Sequence, residues 1–195
     1  MAVRPISGPE IVIEGEFRFV AVAKDRPEIS DSYQLRITVP HQFPEHIPAV
    51  TEIGHRIPRV GNFHVNPDAT LCLGSPLRLL LKLSNEPTLP GFASSCLIPY
   101  LYAISHKLNY GGSLPFSELK HGTVGALEDY MELLGLRRPE QAMRAIKLLG
   151  MKKRKANKSS CPCDCGQRVG KCPFNKRLKR FRQLASRTWF RQLTA

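Results

Sequence analysis

Two stretches of this sequence hold chemically active residue types at spacings that could use them. The first is His64-Val65-Asn66-Pro67-Asp68-Ala69-Thr70-Leu71-Cys72-Leu73-Gly74, where an imidazole, an amide and a carboxylate lie within nine residues of a thiol. A thiol attacks acyl carbon once ionised, and an unperturbed cysteine sits near pKa ~8.5. Partial exposure and nearby amide donors would let Cys72 act as nucleophile and leaving group. The plainer reading of a cysteine between Leu71 and Leu73 is a small buried hydrophobe. His64 and Asp68 aligned with Cys72 would instead suit a cysteine hydrolase.

The second stretch is Cys161-Pro162-Cys163-Asp164-Cys165-Gly166-Gln167-Arg168-Val169-Gly170-Lys171-Cys172. A Cys-x-Cys pair, a glycine turn and a later thiol is the spacing of a small zinc site, in which thiolates approach one ion from two sides. The competing readings are a metal-free cluster and a redox pair. The segment resembles the zinc-binding SEC-C motif at the C-terminus of the bacterial secretion ATPase. That motif ends in Cys-Cys or Cys-His, whereas Pro173 follows Cys172 here. The resemblance implies Cys161, Cys163 and Cys172 as Zn2+ ligands, and Cys165, which stands where that motif commonly has a serine, could supply the fourth thiolate.

The charge is as unevenly spread as the thiols. The chain of 195 residues has 29 Lys or Arg against 16 Asp or Glu, a formal charge of +13. Residues 1–150 hold 15 basic and 15 acidic side chains; residues 151–195 hold 14 basic ones and a single acid, Asp164. A neutral body with a basic tail excludes a uniformly basic nucleic-acid-coating protein. The tail is expected to recruit an acidic protein surface or nucleic acid. No apolar run reaches the roughly 18 residues that span a bilayer, and Met1–Pro9 lacks the apolar core of a secretion signal. The expected setting is cytoplasmic, where the six cysteines stay reduced.

Alternating apolar residues predict strands at Ile11–Ala23, at Tyr33–Val39 and at Ala49–Ile53, joined as an antiparallel meander. Prolines from Pro40 to Pro90 break any long element, which leaves a long loop around Cys72. Helices are predicted over Phe92–Leu108, with Cys96 in its core and Ser94 and Ser95 near its start, over Phe116–Leu134, and over Pro139–Leu149 with Pro139 in the first turn. Strands followed by helices define an α+β domain over residues 1–150. Residues 151–160 read as a solvated basic linker and residues 161–195 as a zinc knuckle followed by a helix. Phe174, Leu178, Phe181, Leu184, Ala185, Trp189 and Leu193 would form one apolar face of that helix.

The run Val39-Pro40-His41-Gln42-Phe43-Pro44-Glu45-His46-Ile47-Pro48 resembles the strand-and-proline segment of ubiquitin-conjugating (UBC) enzymes. His64, Asn66, Cys72 and Leu73 follow in the order of that family's His-Pro-Asn element and active-site Cys-Leu pair. The likeness covers roughly residues 10–135. With His121-Gly122-Thr123-Val124-Gly125 and Leu127-Glu128-Asp129-Tyr130, it is nearest the bacterial branch found in antiphage defence and conjugation operons. The resemblance implies a UBC-like meander packed on helices, without the usual N-terminal helix. It implies an acyltransferase in which Cys72 carries a ubiquitin-like modifier, or another protein, as a thioester and passes it to an amine. Asn66 would support the oxyanion, although the element lacks its central proline and Asn62 or His64 could serve instead. His64, His121 or Asp129 would take the amine proton. The implied partners are the modifier or protein substrate, an activating enzyme and a cyclic-nucleotide synthase. A non-catalytic UBC-fold module that recruits a protein or nucleic acid through its tail is the competing reading.

Overall fold

Strand β3 (Ile29–Val39) pairs antiparallel with β2 (Ile11–Ala21) on one side and with β4 (Ala49–Glu52) on the other, and β1 (Ala2–Pro5) completes the order β1-β2-β3-β4. The structure, a computed structural model, describes residues 1–5, 10–114 and 122–194. The meander is the expected one, lengthened by β1 and by an earlier start to β3. β3 alternates from Tyr33 onward. Ile29, Tyr33, Leu35, Ile37 and Val39 are buried, whereas Ser30, Gln34 and Arg36 are exposed. That is the period-2 signature of a sheet with one packed face.

The helices are α1 (Pro76–Leu83), α2 (Leu89–Phe92), α3 (Ile98–Tyr110), α4 (Gly122–Leu134), α5 (Pro139–Leu149), α6 (Lys153–Ala156), α7 (Phe174–Phe181) and α8 (Arg187–Gln192). The chain is therefore α+β. By its internal contacts it divides into one unit of Met1–Gly74 with Lys82–Glu118 and a second of Ser75–Leu81 with Leu119–Ala195. This division differs from the one read at residues 150 and 160.

In the first unit α3 packs on β2 and β3. A polar chain fastens it: the Tyr33 hydroxyl donates to Ser105 Oγ (2.8 Å), and Ser105 donates to Asp31 Oδ2 (2.6 Å). Arg56 donates to both carboxylate oxygens of Asp31 (Nη1–Oδ1 2.5 Å, Nη2–Oδ2 2.9 Å) while its guanidinium lies 4.6 Å from the centre of the Tyr33 ring. The helix predicted at Phe92 begins earlier, at Leu89, where the Thr88 hydroxyl accepts the Gly91 N–H. Between α2 and α3 the helix widens into a π segment, Ala93–Leu97. Ser94 and Ser95 do not start a helix there, because both hydroxyls bond back to the Gly91 carbonyl inside a helix already under way. Cys96 is 1% exposed, as expected of a core thiol, and burial pushes its pKa up.

In the second unit α5 matches its predicted span and buries Ala142, Ala145, Ile146, Leu148 and Leu149. It packs against α6, α7 and α8. The basic stretch read as a linker contains α6, whose Ala156 is fully buried, although its lysines stay in solvent. The tail is two helices rather than one, because the chain turns after Phe181 and Ser186 caps a new helix by accepting the Trp189 N–H (3.2 Å). The first turn predicted for the helix at Phe116 lies outside the described residues.

Burial works to raise the pKa of Asp31, but hydrogen bonds from Arg56, Ser105 and the Ser32 N–H outweigh it and hold the carboxyl below the usual range. A carboxyl whose pKa is lower folded than unfolded adds stability above its unfolded value, near ~3.9, and that stability is lost as pH falls through the folded value. The thermal midpoint should therefore drop on acidification below about pH 4. Asp31→Asn should flatten that part of the profile and lower the midpoint at neutral pH, as followed by circular dichroism.

Candidate functional site

The residues around Cys72 form a small hairpin rather than an irregular loop. Asn66-Pro67-Asp68-Ala69 is a turn closed by the Ala69 N–H on the Asn66 carbonyl (2.9 Å), with the Asn66 N–H on the Thr70 carbonyl (2.8 Å) beside it. Proline in second place and aspartate in third suit such a turn. Val65 bridges Leu71, and Thr70 bridges Thr51 of β4. The Leu71 N–H reaches the Val50 carbonyl at 2.7 Å, so the hairpin docks on the edge of the sheet. Cys72 follows immediately, half-buried, its N–H donated to the carbonyl of His64 opposite it (2.7 Å).

The far side of the hairpin is held by α3. The Tyr100 hydroxyl donates to the Phe63 carbonyl (2.8 Å), and the Lys107 ammonium donates to the Asn62 carbonyl (2.8 Å) while lying over the Phe63 ring. Burial, and after it the charge of Cys72, pushes the Tyr100 phenol up. His64 has φ 52° and Ala69 has φ 66°, both left-handed without being glycine.

The family resemblance implies Asn66 as the amide that supports the oxyanion. In the structure its Nδ2 donates instead to Thr70 Oγ1 (2.9 Å), and Asp68 Oδ1 accepts from the Thr70 N–H (3.0 Å) and hydroxyl (2.6 Å). Asn66 and Asp68 therefore lock the turn. Asn62, the other amide considered, is exposed and its carbonyl is engaged by Lys107. The N–H groups of Leu73 and Gly74 make no hydrogen bond among the described residues. Their signal in the sequence was only their position after Cys72. His121 lies outside the described residues. Asp129 is fully buried and bonded to Ser75 and Arg78, so it is a structural anion and not a free base.

In the second unit Cys161, Cys163, Cys165 and Cys172 converge, with all four Sγ atoms within 4.8 Å of one another. Individual separations are 3.1 Å (Cys161–Cys163), 3.6 Å (Cys163–Cys172) and 3.6 Å (Cys165–Cys172). A tetrahedral ion with metal–sulfur bonds of about 2.3 Å needs sulfur–sulfur edges of about 3.8 Å. The cluster is thus compatible with one metal ion and four thiolates, and this includes the three of Cys-x-Cys-x-Cys. The Phe174 N–H points at Cys172 Sγ (3.4 Å), the type of outer contact that orients a ligand. The Gln167 N–H, with the neighbouring thiols, lowers the pKa of Cys165, whereas burial raises those of Cys161 and Cys163.

Asp164 sits between these ligands at φ 60°. Its carboxylate is gripped by Arg144 and Gln141 of the first turns of α5 and by Arg138 at its N-cap, which hold its pKa at about 2. The one acid of the tail is the clamp between knuckle and helix. Compared with protein-family models, with curated proteins and with solved structures, the chain matches none.

Ala69 supplies a test of the hairpin. A non-glycine residue in the left-handed region costs roughly 1–2 kcal/mol, part of which glycine returns through its greater unfolded-state freedom. Ala69→Gly should raise stability by about 0.5–1 kcal/mol in urea denaturation. A loss of stability would mean that this turn is not formed as described.

Proposed function

We propose that this chain is an acyl-transfer enzyme similar to the ubiquitin-conjugating family, with Cys72 as its nucleophile and a zinc ion on the four tail cysteines. The observation that carries the reading is the contrast between two thiols of the first unit. Cys96 is sealed in the core, while Cys72 is half-exposed at the end of a hairpin fixed to the sheet edge and to α3. A buried structural cysteine needs no such mounting.

In this mechanism the Cys72 thiolate attacks an activated carbonyl and expels the activating group, leaving a thioester. An amine then attacks the thioester carbon. The oxyanion that forms accepts hydrogen bonds from the Leu73 and Gly74 N–H groups, a role in which losing one donor typically costs ~10²–10³ in rate. The tetrahedral intermediate collapses with loss of the thiolate, and His64, opposite Cys72 in the hairpin, takes the amine proton. Zinc would hold the knuckle by neutralising four clustered thiolates. The antiphage setting follows from the family resemblance alone.

Two measurements test this. Intact-mass analysis of protein purified from its host without reductant should find an adduct on the wild type and on Cys96→Ala, released by thiol and absent from Cys72→Ala. Persistence of the adduct in Cys72→Ala, or its absence from wild type, would overturn the acyl-transfer reading and favour a binding module. Metal analysis should find one zinc per chain, lost together with the thermal stability of the second unit in Cys161→Ser or Cys172→Ser. A metal-free protein with an unchanged melt would refute the zinc assignment.

A further inference from the structure

The division into units sharpens the charge asymmetry. The second unit, Ser75–Leu81 with Leu119–Ala195, holds 20 basic and 5 acidic residues, a net +15; the first holds 9 and 11, a net −2. Within the second unit the acids are largely used up: Asp164 serves Arg138 and Arg144, and Asp129 and Glu132 serve Arg78. The five cations of residues 152–158 are exposed without an ion pair among the described residues, as are Arg168 and Lys171 before α7 and Lys176, Lys179 and Arg180 on it. Arg182 is set apart, because its guanidinium nitrogens are buried.

These three groups belong to segments that the backbone fastens together. The Gly170 N–H bonds the Asn157 carbonyl (3.0 Å), the Val169 N–H bonds the Ser159 carbonyl (2.9 Å), and Ser160 bridges Arg168. A Cβ on Gly170 would come within 3.0 Å of that same Asn157 carbonyl, so the two segments are in close contact. α7 starts two residues after Cys172 and packs on the Val169–Lys171 turn. The result is a preorganised field of ten cations, not a flexible tail.

What is missing from this surface narrows its partner. A helix that enters a bilayer interface needs an exposed apolar face, but Phe174, Leu178 and Phe181 of α7 and Trp189 and Phe190 of α8 are all buried. Binding to single-stranded nucleic acid draws on exposed aromatic platforms for base stacking. Among the described residues of the second unit no aromatic side chain is exposed. Cations without apolar or aromatic companions suit a rigid, regularly spaced polyanion.

We infer that the second unit binds the phosphate backbone of duplex nucleic acid, without sequence preference, through the cations of residues 152–158, of Arg168 and Lys171, and of α7. This does not depend on the chemistry at Cys72. Neutralising about six phosphates releases their counterions and gives a slope of roughly −5 in log affinity against log salt.

The test uses the full-length chain and fluorescein-labelled duplexes of about 30 base pairs, in two unrelated sequences, with affinity read by polarisation between about 50 and 200 mM salt. The expected result is micromolar or tighter binding at the lower salt, equal for both sequences, with the steep slope above. Lys153→Gln, Lys155→Gln and Lys158→Gln together should weaken binding at least tenfold and reduce the slope by about 0.9 per cation, with an unchanged thermal melt. The set Lys176→Gln, Lys179→Gln and Arg180→Gln on α7 should do the same. No binding, a slope near zero, tighter binding to a single strand, or equal binding to phosphatidylserine vesicles or polyglutamate would each overturn the inference.

Discussion

The alternation along β3 is the constraint on which the first unit depends. Tyr33, Leu35, Ile37 and Val39 must face the core together, since a slip of one residue would turn all four to solvent and bring Gln34 and Arg36 inside. β4 takes its register from β3 through Leu35–Glu52 and Ile37–Val50. The hairpin then takes its place from β4, through Val50 and Thr51. The position of Cys72 is therefore inherited, strand by strand, from the packing of β3. Glu52 adds to this chain of dependence, because it is buried and accepts the N–H groups of Gly54, Arg56 and Ile57. Those bonds present Arg56 to Asp31.

The legible parts of the sequence were those where periodicity is strong and local. β2, β3, β4 and α5 could be read from their apolar spacing, and α5 from Pro139 as well. The hairpin at Cys72 was not, because one bridged pair, Val65–Leu71, joins its arms, too little to leave a periodic trace. The turn chemistry of Asn66-Pro67-Asp68 was a usable signal, hidden by the left-handed position falling on Ala69 instead of glycine. α1 was lost among the prolines, although Pro76 opens that helix, a position where a missing N–H costs nothing. The tail was read as one helix because Phe174, Leu178, Phe181, Leu184 and Ala185 keep a helical spacing. Nothing in that spacing marks the turn before Ser186.

The four cysteines were grouped correctly from spacing, but their attachment to α5 depends on contacts distant in sequence. Arg138, Gln141 and Arg144 lie on the helix a full segment earlier, and only the folded chain brings them to Asp164. Arg177 likewise closes on the C-terminus of α4: it donates to the Leu134 carbonyl and fills the space beside Gly135, whose φ of 59° ends that helix. The tail is thereby part of a packed unit. Its lysines and arginines, Arg182 with its buried guanidinium apart, are held in place by a core of Phe174, Leu178, Phe181, Trp189 and Phe190 that they do not themselves join.

The π segment Ala93–Leu97 sets a phase. A residue accommodated as a bulge, with the Ile98 N–H reaching back to the Ala93 carbonyl, offsets the helix by about 100° relative to an unbroken α-helix. With that offset in place, Phe92 before the bulge and Tyr100 after it are both buried. Deleting one residue from this stretch would give a more regular helix and a worse protein. Everything beyond it would rotate, and the Tyr100 and Lys107 that grip the Asn62–Phe63 turn would swing off their carbonyls. The irregularity works as an angular spacer between one end of the helix and the hairpin that carries Cys72.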